Sequence, residues 1–222
     1  VILKIHKAYI EAGADIIETN TFGATNIVLS DYDLSHLDEK LNEKAALLAK
    51  QAVKESGKEV YVAGAMGPTT KAISVTGGVT FEELIEAYTR QARGLLKGAV
   101  DVLLVETSQD MRNVKAAYIG IQAAFEELKK TVPIMISGTI EPMGTTLAGQ
   151  TIEAFYLSVE HMKPLSVGLN CATGPEFMRD HIRSLSDLSE CYISCYPNAG
   201  LPDEDGHYHE SPSSLAEKVK RF

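Results

Sequence analysis

The 222 residues are 45% hydrophobic and 23% charged, the proportions of an ordinary globular protein with enough chain to bury a sizeable core. The formal charge of −9 argues against general binding to nucleic acid or to anionic membrane surfaces, both of which favour a basic face. No apolar run reaches the roughly 18 residues that a membrane-spanning helix needs. Cys171, Cys191 and Cys195 are odd in number and cannot all pair internally, so a reduced, cytoplasmic setting is the simpler reading.

The chain opens on an amphipathic helical pattern, Val1-Ile2-Leu3-Lys4, with neither an initiator methionine nor a basic leader and cleavage site. Short runs, apolar on both faces as buried parallel strands are, follow at 15–18, 60–65, 101–106, 133–137, 165–170 and 191–195. Helical patterns separate them. Leu41, Ala45, Leu48 and Ala52 mark one apolar stripe, with Gly57 as its stop. Val114, Tyr118, Ile121, Phe125 and Leu128 mark a second, and Met178, Ile182 and Leu185 a third. Thr80 with Glu83 and Ser214 with Glu217 each fit a capping box. The last helix is expected over 214–222.

Gly13-Ala14-Asp15 leads into Ile16-Ile17-Glu18-Thr19, and Gly98-Ala99-Val100-Asp101 leads into Val102 through Thr107. This echo predicts repeated strand–helix units and an α/β fold of the (β/α)₈ type, with a doubly wound open sheet as runner-up. Six strand runs between terminal helices, in a chain shorter than the roughly 250 residues of a typical barrel, predict that the first and last strands are missing. Residues 1–222 are expected to form a single domain.

In such a barrel, functional groups gather where strands end. There the sequence puts Glu18-Thr19-Asn20-Thr21, Glu106-Thr107, Ser137-Gly138-Thr139, Asn170-Cys171 and Pro197-Asn198. For Cys171 two readings stay open: an inert buried cysteine, or a thiolate acting as metal ligand or nucleophile. Glu106 ends an apolar strand and needs a cationic partner, either an internal Lys or Arg or the ammonium of a substrate. Glu18 has the same placement, with an internal salt bridge or rim charge as the plainer reading. Cys191 and Cys195 read as core. His6, His36, His161 and His181 read as surface. His207 and His209, in a polar loop, read as solvated rather than as a metal tract. The glycine-containing segments 64–67 and 77–78 match no phosphate-binding pattern.

The run Gly168-Leu169-Asn170-Cys171-Ala172-Thr173-Gly174-Pro175 resembles the first zinc-cysteine motif of the homocysteine S-methyltransferase family. Glu18-Thr19-Asn20-Thr21-Phe22-Gly23, Val105-Glu106-Thr107 and Pro197-Asn198-Ala199-Gly200 resemble further landmarks of that family, in the same order. Ile136-Ser137-Gly138-Thr139 with Leu147-Ala148-Gly149-Gln150-Thr151 is most similar to the homocysteine-binding domain of cobalamin-dependent methionine synthase. The resemblance implies a (β/α)₈ barrel in which Cys171 is both catalytic and a zinc ligand. It implies that Glu106 holds the homocysteine amino group, with Asn20, Asn170, Asn198 and Ser137 as further substrate contacts. Two more cysteine ligands are expected beyond Phe222.

A three-thiolate zinc site with an open fourth position would take the homocysteine sulfur as a thiolate, ready to accept a methyl group. By resemblance that methyl comes from methylcobalamin, supplied from methyltetrahydrofolate, with both carriers on other domains of a longer protein. The alternatives are a homocysteine methyltransferase using betaine or S-methylmethionine, or an inactive barrel fragment without a complete zinc site.

Overall fold

The computed structural model describes residues 1–200 and 202–222. In chain order the elements are α1 (Ile2–Glu11), β1 (Ile16–Glu18), α2 (Asn26–Leu29), α3 (Asp38–Ser56), β2 (Tyr61–Met66), α4 (Phe81–Lys97), β3 (Val102–Ser108), α5 (Met111–Leu128), β4 (Ile134–Gly138), α6 (Ile152–Val159), β5 (Ser166–Asn170), α7 (Pro175–Leu188), β6 (Tyr192–Tyr196) and α8 (Pro212–Val219). The strands form one six-stranded sheet in the order β1-β2-β3-β4-β5-β6. The registered pairs β1–β2, β2–β3 and β5–β6 are all parallel. A doubly wound sheet reverses its strand order at a switch point. Here the order never reverses, which is the topology of consecutive strands in a (β/α) barrel.

The chain packs as two compact units, 1–105 with 112–135, and 106–111 with 136–222. Strands β3 and β4 contribute residues to both.

In the first unit the core lies between the sheet and α3, α4 and α5. Ile17, Val62, Met66, Leu84, Leu95, Leu103 and Ile121 are all buried. Fully burying a side chain of this size contributes about 1.5–3 kcal/mol. The stripe expected on α3 is displaced by one residue over its first turns: Leu41 is exposed and Asn42, Ala46 and Ala49 face inward, while Ala52 is buried as expected. The reason is close packing on α4. A Cβ at Gly94 would lie 2.8 Å from the Asn42 Cβ, and one at Gly98 would lie nearer still to the Ala46 Cβ, so the two helices approach closely at these glycines and Leu41 and Leu47 are left exposed. Gly57 ends α3 in the left-handed conformation, as expected. Thr80 and Glu83 form both hydrogen bonds of the capping box at the start of α4.

Ion pairs then fix α3 to α4. Arg90 donates through Nε and Nη2 to both carboxylate oxygens of Asp38 at 2.6 Å, and Asp38 is 0% exposed. His6 was expected at the surface, but it is buried on α1 one turn before buried Ile10, on the same helix face. Burial lowers its pKa.

In the second unit, Ile136, Phe155, Val167, Leu169, Met178 and Leu185 are buried. The stripe predicted on α7, Met178, Ile182 and Leu185, faces inward as expected. The last helix begins earlier than predicted. Ser211, not Ser214, caps α8, accepting from Ser214 N–H at 3.1 Å with Pro212 in the first turn. Among the described residues, no helix is long and apolar enough to cross a membrane.

Candidate functional site

The end of β1, in the first unit, is a clamp made of threonines. Thr19 Oγ1 accepts from Ala65 N–H at 3.0 Å and shares a 2.6 Å hydrogen bond with Thr21 Oγ1. Thr21 Oγ1 lies 2.6 Å from the Ala65 carbonyl oxygen, and the Gln91 amide donates to Thr21 O. These side chains extend the β1–β2 pairing past the last strand residue. Asn20 is exposed on the turn they hold. Glu18 is also solvent-exposed, while the protein packed around its carboxyl raises its pKa.

In the second unit, the ends of β3, β4, β5 and β6 bring polar residues together. Asn170, buried at the end of β5, accepts on Oδ1 from Thr107 N–H at 3.0 Å and from Ser137 Oγ–H at 2.7 Å. Its Nδ2 donates to Thr107 Oγ1 at 2.7 Å. Glu106 is buried at the strand end just before Thr107, and Tyr196 Oη donates to its Oε2 at 3.3 Å. The carbonyl of the same Tyr196 accepts from Cys171 N–H at 3.3 Å. Thr173 N–H donates to Cys171 O at 2.6 Å, and Asn198 N–H donates to Thr173 O at 3.1 Å. Glu106, Ser137, Asn170, Cys171 and Asn198 therefore belong to one connected set of strand ends. Asn20 and Glu18 lie in the other unit.

The backbone here is strained. Thr107 has φ +55°, Cys171 +58° and Ala172 +57°. Left-handed conformations cost a non-glycine residue about 1–3 kcal/mol each and persist only where surrounding contacts enforce them. The hydrogen bonds just described are those contacts. Ser108 Oγ and Thr139 Oγ1 are buried beside them and have no hydrogen-bond partner. Thr139 N–H pairs with the Ser108 carbonyl at 3.1 Å, which puts the two at adjacent strand ends.

The three cysteines are unpaired and half-buried. Cys195, expected in the core, packs its sulfur 3.8 Å from Met178 Sδ on α7, and burial pushes its thiol up to about 11. Cys191 precedes β6 and bonds with Ser189. Cys171 is thus the cysteine of this chain that meets the polar strand ends. One thiolate is one donor of the three that an open zinc site uses, so the described residues alone do not make that site. Among the described residues, the cluster of potential ligands that does form, Asp203, Asp205 and His207, is exposed in the loop before α8. Asp203 already accepts from the N–H groups of His207 and Asp205 and pairs with His209 Nε2 at 2.6 Å.

Sequence reasoning placed Glu106, Ser137, Asn170, Cys171 and Asn198 at strand ends, where they lie, but not the hydrogen bonds that join them. It missed Thr107 and Tyr196 as the groups that link the acid to the thiol. A polar residue directly after an otherwise apolar strand was the available signal for Thr107. No local signal marks Tyr196, whose role depends on strand register.

The fold and site define an α/β protein of barrel topology with its polar residues collected at strand ends. The structural comparisons agree on the fold. The metallated form of the homocysteine methyltransferase MmuM from Escherichia coli matches with a TM-score of 0.77 at 19% identity, covering 99% of this chain and 84% of that one. Its oxidized form matches at 0.76 and 18%, covering 100% and 84%. Its apo form matches at 0.69 and 16%, covering 100% and 85%. The homocysteine S-methyltransferase family model matches residues 1–222. The chain belongs to the homocysteine S-methyltransferase family, a family of methyltransferases acting on homocysteine.

Proposed function

We propose that residues 1–222 are one homocysteine-binding domain of methionine-synthase type, working in a reducing cytoplasmic setting. In this reading Cys171 is a zinc ligand. Two further cysteine ligands and the remaining barrel strands come from sequence outside this stretch. Members of the family are typically zinc-dependent. Zinc held by three thiolates supplies a low pKa to a fourth, incoming thiol.

The residues of this chain have simpler tasks. Glu106 receives the homocysteine ammonium. Asn170, Ser137 and Asn198 line the same strand ends, and Asn20 is included on the resemblance. The homocysteine sulfur then forms a bond to the methyl carbon. The donor keeps the electron pair of the bond that breaks, and the thiol proton is lost to solvent. The donor in this reading is methylcobalamin, recharged from methyltetrahydrofolate, each carried by another domain of the protein.

The observation that carries the proposal is the double use of Tyr196. Its hydroxyl bonds Glu106 and its carbonyl bonds the N–H of Cys171. A carboxylate for the amino group and a thiolate for the sulfur side are thereby held at a fixed relation, as an amino thiol requires.

The test is calorimetric titration with L-homocysteine, together with zinc analysis, on this chain and on one extended past Phe222. Tight zinc is expected only in the extended chain. There, Glu106→Ala should keep zinc and weaken homocysteine binding about 10- to 100-fold, the value of a charge-assisted hydrogen bond. Cys171→Ala should lose zinc. Retained zinc in Cys171→Ala, or equal zinc loss in Glu106→Ala, would remove the proposal. Turnover with S-methylmethionine or betaine in place of methylcobalamin would correct the donor.

A further inference from the structure

We infer that Asn170 is a positioning residue that joins the strand end bearing Glu106 to the strand end bearing Cys171, with Ser137 as its buttress, and that neither side chain touches substrate. The assignment rests on the reading of Glu106 and Cys171 as the working groups, and it replaces the contact role given to Asn170 and Ser137 above.

A side-chain amide has two acceptor positions and two N–H groups. Both acceptor positions of Asn170 are filled, by Thr107 N–H and by Ser137 Oγ–H, and one N–H is given to Thr107 Oγ1. A single N–H is left over, which is little for a buried group meant to recognise a ligand. What the amide does fully is grip Thr107 at its backbone and its side chain together, as a neighbouring strand would. Thr107 needs that grip. It is β-branched, and such residues strongly disfavour positive φ, yet its φ is +55°. If Thr107 relaxed to negative φ, the Glu106–Thr107 peptide would turn and the Glu106 carboxylate would leave its place beside Tyr196.

The other end of the link is covalent. Asn170 is bonded directly to Cys171, whose φ of +58° is held by the Tyr196 carbonyl. Acid and thiol are therefore tied twice, once through Tyr196 and once through Asn170 and Thr107. Ser137, 0% exposed, donates to the Asn170 oxygen from the intervening strand β4 and keeps the amide from turning over.

The test uses two probes on the whole chain: iodoacetamide, with alkylation of each cysteine followed by peptide mass spectrometry, and L-homocysteine by calorimetry. In Asn170→Ala, Cys171 should alkylate at least about threefold faster while Cys191, near the opposite end of β6, keeps its rate. Homocysteine should bind about tenfold more weakly, the value of about one net hydrogen bond with its partner left unpaired. Both effects should shrink to under about threefold in a Thr107→Gly background, because glycine holds positive φ without help.

An unchanged Cys171 rate in Asn170→Ala, or the same homocysteine penalty with Gly at 107, would overturn the inference, since a direct substrate contact does not depend on Thr107. Faster alkylation of Cys191 as well would also overturn it, by showing general loosening. Should Asn170→Ala fail to fold by circular dichroism, Ser137→Ala carries the test: a smaller rise in Cys171 rate supports the inference, and no rise sinks it. The homocysteine arm is run on the chain extended past Phe222; if that chain binds no homocysteine, the proposed function falls while the alkylation arm still decides this point.

Discussion

Gly168 offers the sharpest test of the strand packing beneath the site. It lies in β5, two residues before Asn170, and registers with Ser194 in β6. A Cβ built there would lie 2.7 Å from the Ser194 carbonyl carbon, with the Ser194 carbonyl oxygen and hydroxyl nearer still. Ordinary carbon–carbon contact needs about 3.5–4.0 Å, so Gly168→Ala must push β5 and β6 apart by about 1 Å. The obstacle is backbone in a hydrogen-bonded pair, not the tip of a flexible side chain. Overpacking of this kind typically costs about 1–3 kcal/mol, and the upper end is expected. With a urea m-value of about 2 kcal/mol per M, the midpoint should fall by about 1.5 M, followed by circular dichroism. Gly23→Ala is the control, because its Cβ would meet only the Val28 Cγ1, at 3.4 Å. Its stability should stay within about 0.5 kcal/mol of the parent's, a midpoint shift of no more than about 0.25 M. A Gly168→Ala midpoint equal to the control's would refute the argument that close strand approach requires glycine there.

Two further outcomes are expected. Arg90→Met should destabilise by about 3–5 kcal/mol, because it leaves the fully buried Asp38 carboxylate without its partner, and Asp38→Asn in the same chain should recover part of the loss in thermal unfolding. Burial depresses the His6 pKa, so the unfolded chain binds more protons in the window just below the ordinary value of 6.5; stability should be full above that value and fall as pH drops through the window, and His6→Leu should flatten the loss in urea titrations at successive pH values.

The strands were legible because burial on both faces writes a continuous apolar run. All six begin one residue later than the runs suggest and end at, or up to two residues beyond, the predicted end. The offset at the β3 end has a cause that hydropathy does not reveal: Thr107 is held by the Asn170 side chain, and the Ser108 carbonyl accepts from Thr139 N–H. The α3 stripe was misread because Leu outranks Ala on any hydrophobic scale, whereas close approach to Gly94 selects for size. His6 escaped for a related reason, its polarity outweighing a helical spacing to Ile10 that would have marked it as buried. The candidate residues stood out as polar groups at strand ends and through family likeness, and the structure places Glu106, Ser137, Asn170 and Cys171 at such ends. The Asn170–Thr107 bond spans 63 positions in sequence and two strand spacings in the sheet. Such a bond exists only once register is set, and composition cannot encode it.

The paired left-handed residues Cys171 and Ala172 limit what this position can become if the thiol is ever lost. Branched side chains such as Val, Ile or Thr are strongly disfavoured there by their own Cβ substituents, and would need a grip like the one Asn170 gives Thr107. Replacements that keep the turn come from Gly, Asn and Asp, the residues that enter this region at least cost. A descendant that abandons its sulfur can thus keep the fold and still carry an oxygen donor at the same point. The backbone confines drift away from thiolate chemistry to hard ligands or to none.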